Sequence, residues 1–260
     1  MNTWVLLERT ENLLTRLYQR VSAPDFAMLF ADTELALYTD QSPVLVSCDE
    51  RSDLGSAVQQ SPEQWPGLLI RSEHSRAELL AHLRQILFVN FDGERRGVLR
   101  YTNPVTASYF FPACEASHLA FWLGPIGRLS WYGGTWVDRA SNTSAWKTLD
   151  NPDAKSWKPF AKAHVLVVEQ EQALQCQQQN HFLYQWWLKQ HDLCFARTRQ
   201  WLNEALRFGF TEVGSLERYL NLRRTYPGPD LPPALPEGSD ETRLASLMRH
   251  LQKQSTGQES

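Results

Sequence analysis

The 260-residue sequence predicts an α+β fold, with a mixed α/β N-terminal lobe that has a hairpin-containing sheet and an all-helical C-terminal lobe. Between residues 66 and 132, short apolar runs of strand length alternate with leucines at helical spacing. Within this stretch, Asp92-Gly93 separates two strand-like segments, which indicates a hairpin and argues against a purely parallel βαβ sheet. After Glu169, helix-forming residues dominate.

The N-terminal segment supplies the first elements of the mixed lobe. Trp4 to Leu7 is an apolar run that predicts a strand, and residues 11–21 carry apolar side chains on one side of a predicted helix. Val44 to Val46 follows Pro43 and predicts a second strand. Residues 53–60 are expected to form a short helix.

The central stretch continues this alternation. Residues 67–70 predict a buried strand, and Ser72 is the candidate N-cap of the helix that follows. Residues 87–91 and 98–101 predict the two strands of the hairpin around Asp92-Gly93.

Two short helices and a strand close the central stretch. Asn103-Pro104 predicts a helix start, because proline is favoured at the first helical position. A second short helix is expected over residues 117–123, ended by Gly124-Pro125, and residues 126–132 return to strand character. Residues 127–163 are rich in polar residues and tryptophan and are expected to form mostly long loops and irregular hairpins.

Changes in sequence composition give the predicted domain boundaries. Residues 1–168 form the mixed lobe, with a last strand near residue 165, and residues 169–225 form the helical lobe. Residues 226–260 are a proline-rich linker and an amphipathic tail. The tail is expected either to lie in solvent, weakly docked at most, or to enter a partner groove as a short helix.

Composition excludes several classes of protein. The net charge of −3 provides no general attraction for nucleic acid, so no nucleic-acid partner is expected. There is no run of about 18 apolar residues, and the first residues are acidic where a secretory leader needs a basic region, so we expect a cytoplasmic protein without membrane insertion. The spacing of the four cysteines matches no zinc site, so they are expected to be thiols in a reducing compartment.

The sequence contains no recognisable catalytic motif. It has no G-x-S-x-G nucleophile elbow, no phosphate-binding glycine loop and no H-E-x-x-H metal pair. Asp138, Asp150 and Asp153 lie in a loop-rich stretch without a supporting partner, so solvated loops are the simpler interpretation. We therefore expect no catalytic residue, no bound metal and no cofactor.

The order of several short motifs resembles one bacterial family, catalogued as domain of unknown function 4123 (DUF4123). The chain departs from the family pattern at Asn103, where an aspartate is usual, and at Thr102, where a second aromatic residue is usual. A weaker likeness covers the helical lobe, with Phe208-Gly209-Phe210 before a last helix. The matching motifs are Leu69-Ile70-Arg71-Ser72, His82-Leu83-Arg84, Asp92-Gly93, Arg100-Tyr101 with Asn103-Pro104, and Gly124-Pro125-Ile126.

The resemblance implies a non-enzymatic adaptor chaperone of the type VI secretion system. Such a protein binds its cognate effector, stabilises it and promotes its loading onto the VgrG spike. Two alternatives remain open at this stage: an immunity-type inhibitor that binds a toxin domain, and an enzyme whose site has no recognisable motif.

Aromatic residues and arginines are the candidate partner contacts, because tryptophan, tyrosine and arginine are enriched at protein interfaces. Arg84, Arg100 and Arg128 lie at or beside the family motifs, where each is expected either to pair with a buried carboxylate or to touch the effector. The partner-binding candidates are Trp131, Trp136, Trp186, Trp187, Trp201, Tyr219 and Arg100.

Overall fold

The fold is α+β, as the sequence predicts. The computed structural model describes residues 2–48, 53–91, 95–159, 164–190, 192–228 and 230–257, with backbone alone at 256 and 257. The strands are β1 (Asn2–Leu7), β2 (Phe26–Met28), β3 (Val44–Cys48), β4 (Gly67–Ser72), β5 (Phe88–Phe91), β6 (Arg95–Val98), β7 (Arg128–Gly133), β8 (Ala145–Asp150) and β9 (His164–Val165). The helices are α1 (Leu13–Arg20), α2 (Leu54–Gln60), α3 (Arg76–Gln85), α4 (Pro104–Phe110), α5 (Ala116–Leu123), α6 (Trp136–Ala140), α7 (Val168–Trp187), α8 (Phe195–Arg207), α9 (Val213–Thr225) and α10 (Asp240–Gly257).

Contacts divide the chain into two compact units, Met1–Gln178 and Gln179–Ser260. Helix α7 begins in the first unit and ends in the second. In the part of the chain that the structure describes, no helix combines the length and apolar composition needed to cross a bilayer.

The first unit is built on a six-stranded sheet with the order β2-β3-β1-β4-β7-β8. Its paired strands are antiparallel, and β1 and β4 lie at its centre. The predicted hairpin forms in a separate three-stranded sheet, in which β5 pairs with β6 and β9 runs parallel to β5. Strand β6 is Arg95–Val98, so the return strand begins three residues earlier than the predicted 98–101 and overlaps it only at Val98. The Asp92-Gly93 turn lies outside the described residues.

Both faces of the six-stranded sheet carry apolar side chains because residues alternate along each strand. On one face, Leu6, Ile70 and Trp131 pack with buried residues of α3, α4 and α5. On the other face, Val5 and Val46 pack with buried residues of α1 and α2. The sheet is therefore the middle layer of the first unit.

Helix α3 begins three residues later than the sequence suggested. Ser75, not Ser72, is the N-cap: its hydroxyl accepts from Glu78 N, and the Glu78 carboxylate accepts from Ser75 N. This reciprocal capping box satisfies two backbone donors that the helix itself leaves unpaired. Ser72 is the last residue of β4, and its hydroxyl donates to the Pro125 carbonyl (2.7 Å).

The segment expected to be irregular contains regular structure. Strands β7 and β8 form an antiparallel pair, with Trp131 opposite Lys147 and Tyr132 opposite Trp146. Between them, α6 is capped by Thr135, whose hydroxyl accepts from Asp138 N (3.2 Å). The polar composition of this stretch therefore reflects an exposed edge strand rather than a loop.

The second unit contains the end of α7 and the helices α8, α9 and α10. Glu204 accepts from the Tyr219 hydroxyl (3.2 Å) and pairs with Arg223 Nε (3.2 Å), which links α8 to α9. The amphipathic tail is the docked helix α10, because Leu247 and Leu251 are fully buried.

Replacing Leu247 with alanine tests this docking. Leu247 has 0% exposure, so Leu247→Ala should lower the free energy of unfolding of the second unit by about 2 to 5 kcal/mol. The neighbouring Met248 is 45% exposed, and Met248→Ala should change it by less than about 0.5 kcal/mol. Denaturant unfolding of the two variants gives the comparison, and equal values would contradict a docked α10.

Candidate partner-binding surface

The motifs that stand out in the sequence meet around α3 in the folded chain. His82 Nε2 donates to the Trp122 carbonyl (2.9 Å), which fixes the neutral tautomer with Nδ1 unprotonated. The Tyr101 hydroxyl donates to the Leu83 carbonyl (2.7 Å). These bonds tie α3 to the segment that follows β6 and to α5.

Gly124 completes this junction because no other residue fits there. Its φ of +54° lies in the left-handed region that favours glycine. A β-carbon at this position would overlap the His82 ring at Cε1. The motifs His82-Leu83-Arg84 and Gly124-Pro125-Ile126 are therefore two sides of one packed contact.

Asn103 serves in place of the aspartate that is usual in the family. Its side-chain oxygen accepts from Val105 N (2.9 Å) and Thr106 N (3.4 Å) at the start of α4. Thr102 is buried and donates to the Glu8 carboxylate. Both departures thus keep polar groups satisfied inside the first unit.

Two arginines of the family motifs make ion pairs. Arg84 Nη1 lies 3.1 Å from Asp32 Oδ2, and its Nε donates to the Leu29 carbonyl (3.2 Å). Arg128 makes a two-point contact with Asp150, at 2.6 and 3.2 Å, which lowers the pKa of Asp150 by hydrogen bonding. Both carboxylates are exposed, so the expectation of a buried acidic partner is wrong.

Helices α1 and α2 cover only part of their face of the six-stranded sheet. Beyond them lies a surface on β4, β7 and β8 that we call the open half-face. The strand register places its side chains in three rows: Arg71 with Arg128 and Asp150, Leu69 with Ser130 and Thr148, and Tyr132 with Trp146.

The open half-face combines charge, hydroxyl groups and aromatic rings. A concavity of about 370 Å³ lies on it, lined by Thr3, Gln59, Leu69, Arg71, Arg128, Ser130, Trp146 and Thr148. Trp146 is 39% exposed, and its ring centroid lies 5.8 Å from that of Tyr132. Exposed tryptophan and arginine beside an apolar surface are typical of a protein interface.

Strand β8 also forms an edge of the sheet, with no described strand beyond it. Asn151 N donates to the Gly127 carbonyl (2.9 Å), which fixes the alternation of paired residues along β7 and β8. Hydrogen-bonded and non-hydrogen-bonded pairs alternate along an antiparallel pair of strands. The backbone N–H and C=O groups of Trp146, Thr148 and Asp150 therefore point away from β7. The residues that carry the exposed side chains therefore also present the outer backbone edge.

Residues 3–120 match the family model described as Domain of unknown function (DUF4123). These residues form a DUF4123 domain. No curated protein and no solved structure matches the chain.

The DUF4123 domain extends from β1 into α5 and includes α3 with its capping box. Arg71 lies within it, whereas Arg128, Tyr132 and Trp146 follow it in sequence. The open half-face therefore joins one strand of the DUF4123 domain to two strands that come after it.

The predicted partner-binding residues occupy different environments. Trp136 and Trp187 are half-buried and Arg100 is exposed. Trp131 donates from Nε1 to Ser108 Oγ (2.9 Å) inside the core of the first unit. The buried members of the set are Trp131, Trp186, Trp201 and Tyr219.

Contact between these seven residues and a partner protein stays a prediction. The structure brings none of them onto the open half-face, where Tyr132 and Trp146 lie instead. Sequence reasoning missed Trp146 because its strand was expected to be loop. The weak alternation of Trp146, Thr148 and Asp150 with Lys147 and Leu149 was the available signal.

A second groove, of about 630 Å³, lies between the small sheet and the first turns of α7. Arg100, Phe91 and Gln178 are among the residues that line it. Strand β6 follows residues 92–94, which are outside the described part of the chain, so we assign no binding surface there.

The titratable groups with strong pKa shifts are packed in the core. Burial lowers the pKa of His82 to about 4. The pKa of His164 is also lowered to about 4, first by burial and then by the charge of His82. Among the described residues, no group of three His, Cys, Asp or Glu side chains could hold a metal ion.

The Gly124 contact predicts a large and local effect on stability. Gly124→Ala should lower the free energy of unfolding by about 2 to 4 kcal/mol, since it adds backbone strain and a clash with His82. Gly214 has no neighbour within 4 Å of an added β-carbon, so Gly214→Ala is the matched control. Urea unfolding of both variants gives the measurement, and equal stabilities would remove the proposed close contact.

Burial of His82 predicts a dependence of stability on pH. Its folded pKa of about 4 lies below the unfolded value of about 6.5, so the unfolded chain binds more protons between these values. Stability from neutral His82 is therefore present above pH 6.5 and is lost as pH falls towards 4. At pH 5, protonation of this group has lowered the free energy of unfolding by about 2 kcal/mol.

His82→Gln should reduce the fall in melting temperature between pH 7.5 and pH 5. The exposed His118 supplies the control, and His118→Gln should keep the pH dependence of the parent protein. Thermal unfolding across this pH range makes the test. An unchanged slope in His82→Gln would show that His82 is not a source of the pH dependence.

Proposed function

We propose that this protein is a non-enzymatic adaptor chaperone for a type VI secretion effector. It binds the effector in the cytoplasm, stabilises it and promotes its loading onto the VgrG spike. The proposal starts from the DUF4123 domain, whose family resemblance implies this role. The open half-face is the observation in the structure that carries it.

The exposed surface of Trp146 supports protein binding over an internal packing role. Tryptophan at the centre of an interface commonly contributes more than other residues, because it removes a large apolar area from water. Trp146 has the polar neighbours Ser130 and Thr148 beside it, as expected for an interface with an apolar anchor and a polar rim.

The positions of the shifted titratable groups support a non-enzymatic role. His82 and His164 lie beside Trp122 and Trp157 in an aromatic cluster, with the His164 and Trp122 ring centroids 4.8 Å apart. Tyr101, whose pKa is raised by burial, donates to a backbone carbonyl. Each of these groups is part of core packing, not of a polar concavity at which a substrate enters.

Affinity co-purification of the tagged full-length protein from its native cells, followed by mass spectrometry, tests the proposal. One large effector should be recovered with the parent protein. Trp146→Ala should reduce the recovered effector at least about 10-fold, because an anchoring tryptophan typically contributes 2 kcal/mol or more. The melting temperature of Trp146→Ala should stay close to that of the parent protein.

Leu37 is 91% exposed and supplies a matched control, since Leu37→Ala also removes an exposed apolar side chain. This control should retain full recovery of the effector. Failure of the parent protein to recover an effector would overturn the proposed function. Binding to an isolated toxin domain, with loss of toxin activity, would instead favour an inhibitor.

A further inference from the structure

The row of charges on the open half-face contains an imbalance. Arg71 on β4 lies directly opposite Arg128 on β7, and Arg128 lies opposite Asp150 on β8. Like charges placed opposite each other across a sheet are destabilising. Asp150 binds Arg128 through both carboxylate oxygens, so the row holds two cations and one anion, and that anion pairs with Arg128.

Arg71 is exposed, and no described carboxylate forms an ion pair with it. The guanidinium lies at the rim of the concavity of about 370 Å³. Thr3, Gln59 and Thr148 also line this concavity and offer hydroxyl and amide donors. Their chemistry suits a carboxylate, which accepts several hydrogen bonds and pairs strongly with arginine.

The aromatic end of the open half-face lies at a fixed distance from this cationic end. Trp146 is four residues from Asp150 along β8, and a strand rises about 3.3 Å per residue. The row of Arg71, Arg128 and Asp150 and the row of Tyr132 and Trp146 are therefore about 13 Å apart along the strand direction. An extended segment places its residues i and i+4 at the same separation and on the same side.

We propose that the open half-face binds an extended acidic segment of the partner protein. An Asp or Glu side chain of that segment enters the concavity and pairs with Arg71. An aromatic or branched apolar side chain four residues away packs on Trp146 and Tyr132. The proposal rests on the proposed function, since the partner is the effector, and it adds the surface and the chemistry that recognise it.

Charge complementarity favours an acidic peptide over nucleic acid. The row has one excess positive charge, which matches one carboxylate, whereas nucleic-acid surfaces have many clustered cations. The whole chain has a net charge of −3, which opposes a polyanion.

Selection from a displayed library of random 12-residue peptides against the full-length protein tests the inference. Enriched peptides should share an Asp or Glu four residues from an aromatic or branched apolar residue. Fluorescence anisotropy with one such peptide should show at least 10-fold weaker binding to Arg71→Glu. Arg199→Glu makes the same charge change on an exposed residue of α8 and should bind as the parent does.

A charge exchange makes the test specific to this contact. A peptide with Lys in place of its acidic residue should bind Arg71→Glu better than it binds the parent protein. The melting temperature of each variant verifies folding, and Arg71→Gln tests the loss of the cation without reversal. A single-stranded oligonucleotide serves as a probe for the nucleic-acid alternative, and its binding in preference to the peptide would overturn the inference.

Two further results would also overturn the inference. The first is a selection that enriches no peptide on the parent protein relative to the Arg71→Glu/Trp146→Ala double variant. The second is a set of selected peptides whose affinity for Arg71→Glu is within 2-fold of their affinity for the parent protein. If Arg71→Glu recovers as much effector as the parent protein does, the open half-face is not the effector-binding surface, and the adaptor function still stands. If the peptides give the expected result in the charge exchange but no effector is recovered in the co-purification, the open half-face stands as a peptide-binding surface and the assignment of its partner as an effector is wrong.

Discussion

The contact between α3 and Gly124 is the constraint on which the first unit depends. His82 can bury its ring because Gly124 has no side chain and because the Trp122 carbonyl accepts a hydrogen bond from its Nε2–H. That contact holds α3 and α5 together on one face of the central strand β4. The hydrogen bond from the Ser72 hydroxyl to the Pro125 carbonyl also joins the end of β4 to the segment after α5. Because a buried imidazole is poorly solvated, the neutral form is favoured, and the junction is strongest at neutral pH.

Coverage of the sheet by helices differs between its two faces. One face packs against α3, α4 and α5, whereas on the other face α1 and α2 pack with β1, β3 and Leu69 of β4. Strands β4, β7 and β8 place charged, hydroxyl and aromatic side chains on the open half-face beyond this cluster. Incomplete coverage thus creates a surface on rigid strands, which suits recognition because little conformational entropy is lost on binding.

Periodicity predicted the central elements well because each had a strong local signal. Apolar runs located β1, β3 and β4, and Asn103-Pro104 located the start of α4 by a cap and a proline that act within a few residues. The N-cap of α3 was misplaced because Ser72 and Ser75 are both good caps locally. The bond of Ser72 with Pro125, 53 residues away, decides between them.

The sequence by itself determined the α+β class, the DUF4123 resemblance and the helical C-terminal region, because periodicity, caps and motif order are local properties of the chain. Only the tertiary structure decided that the family motifs converge on α3, that Trp131 is buried while Trp146 is exposed, and that Arg71 faces Arg128. The reason is that burial and strand register depend on which segments pair across the sheet. A polar edge strand such as β8 has too little local pattern to reveal its partner.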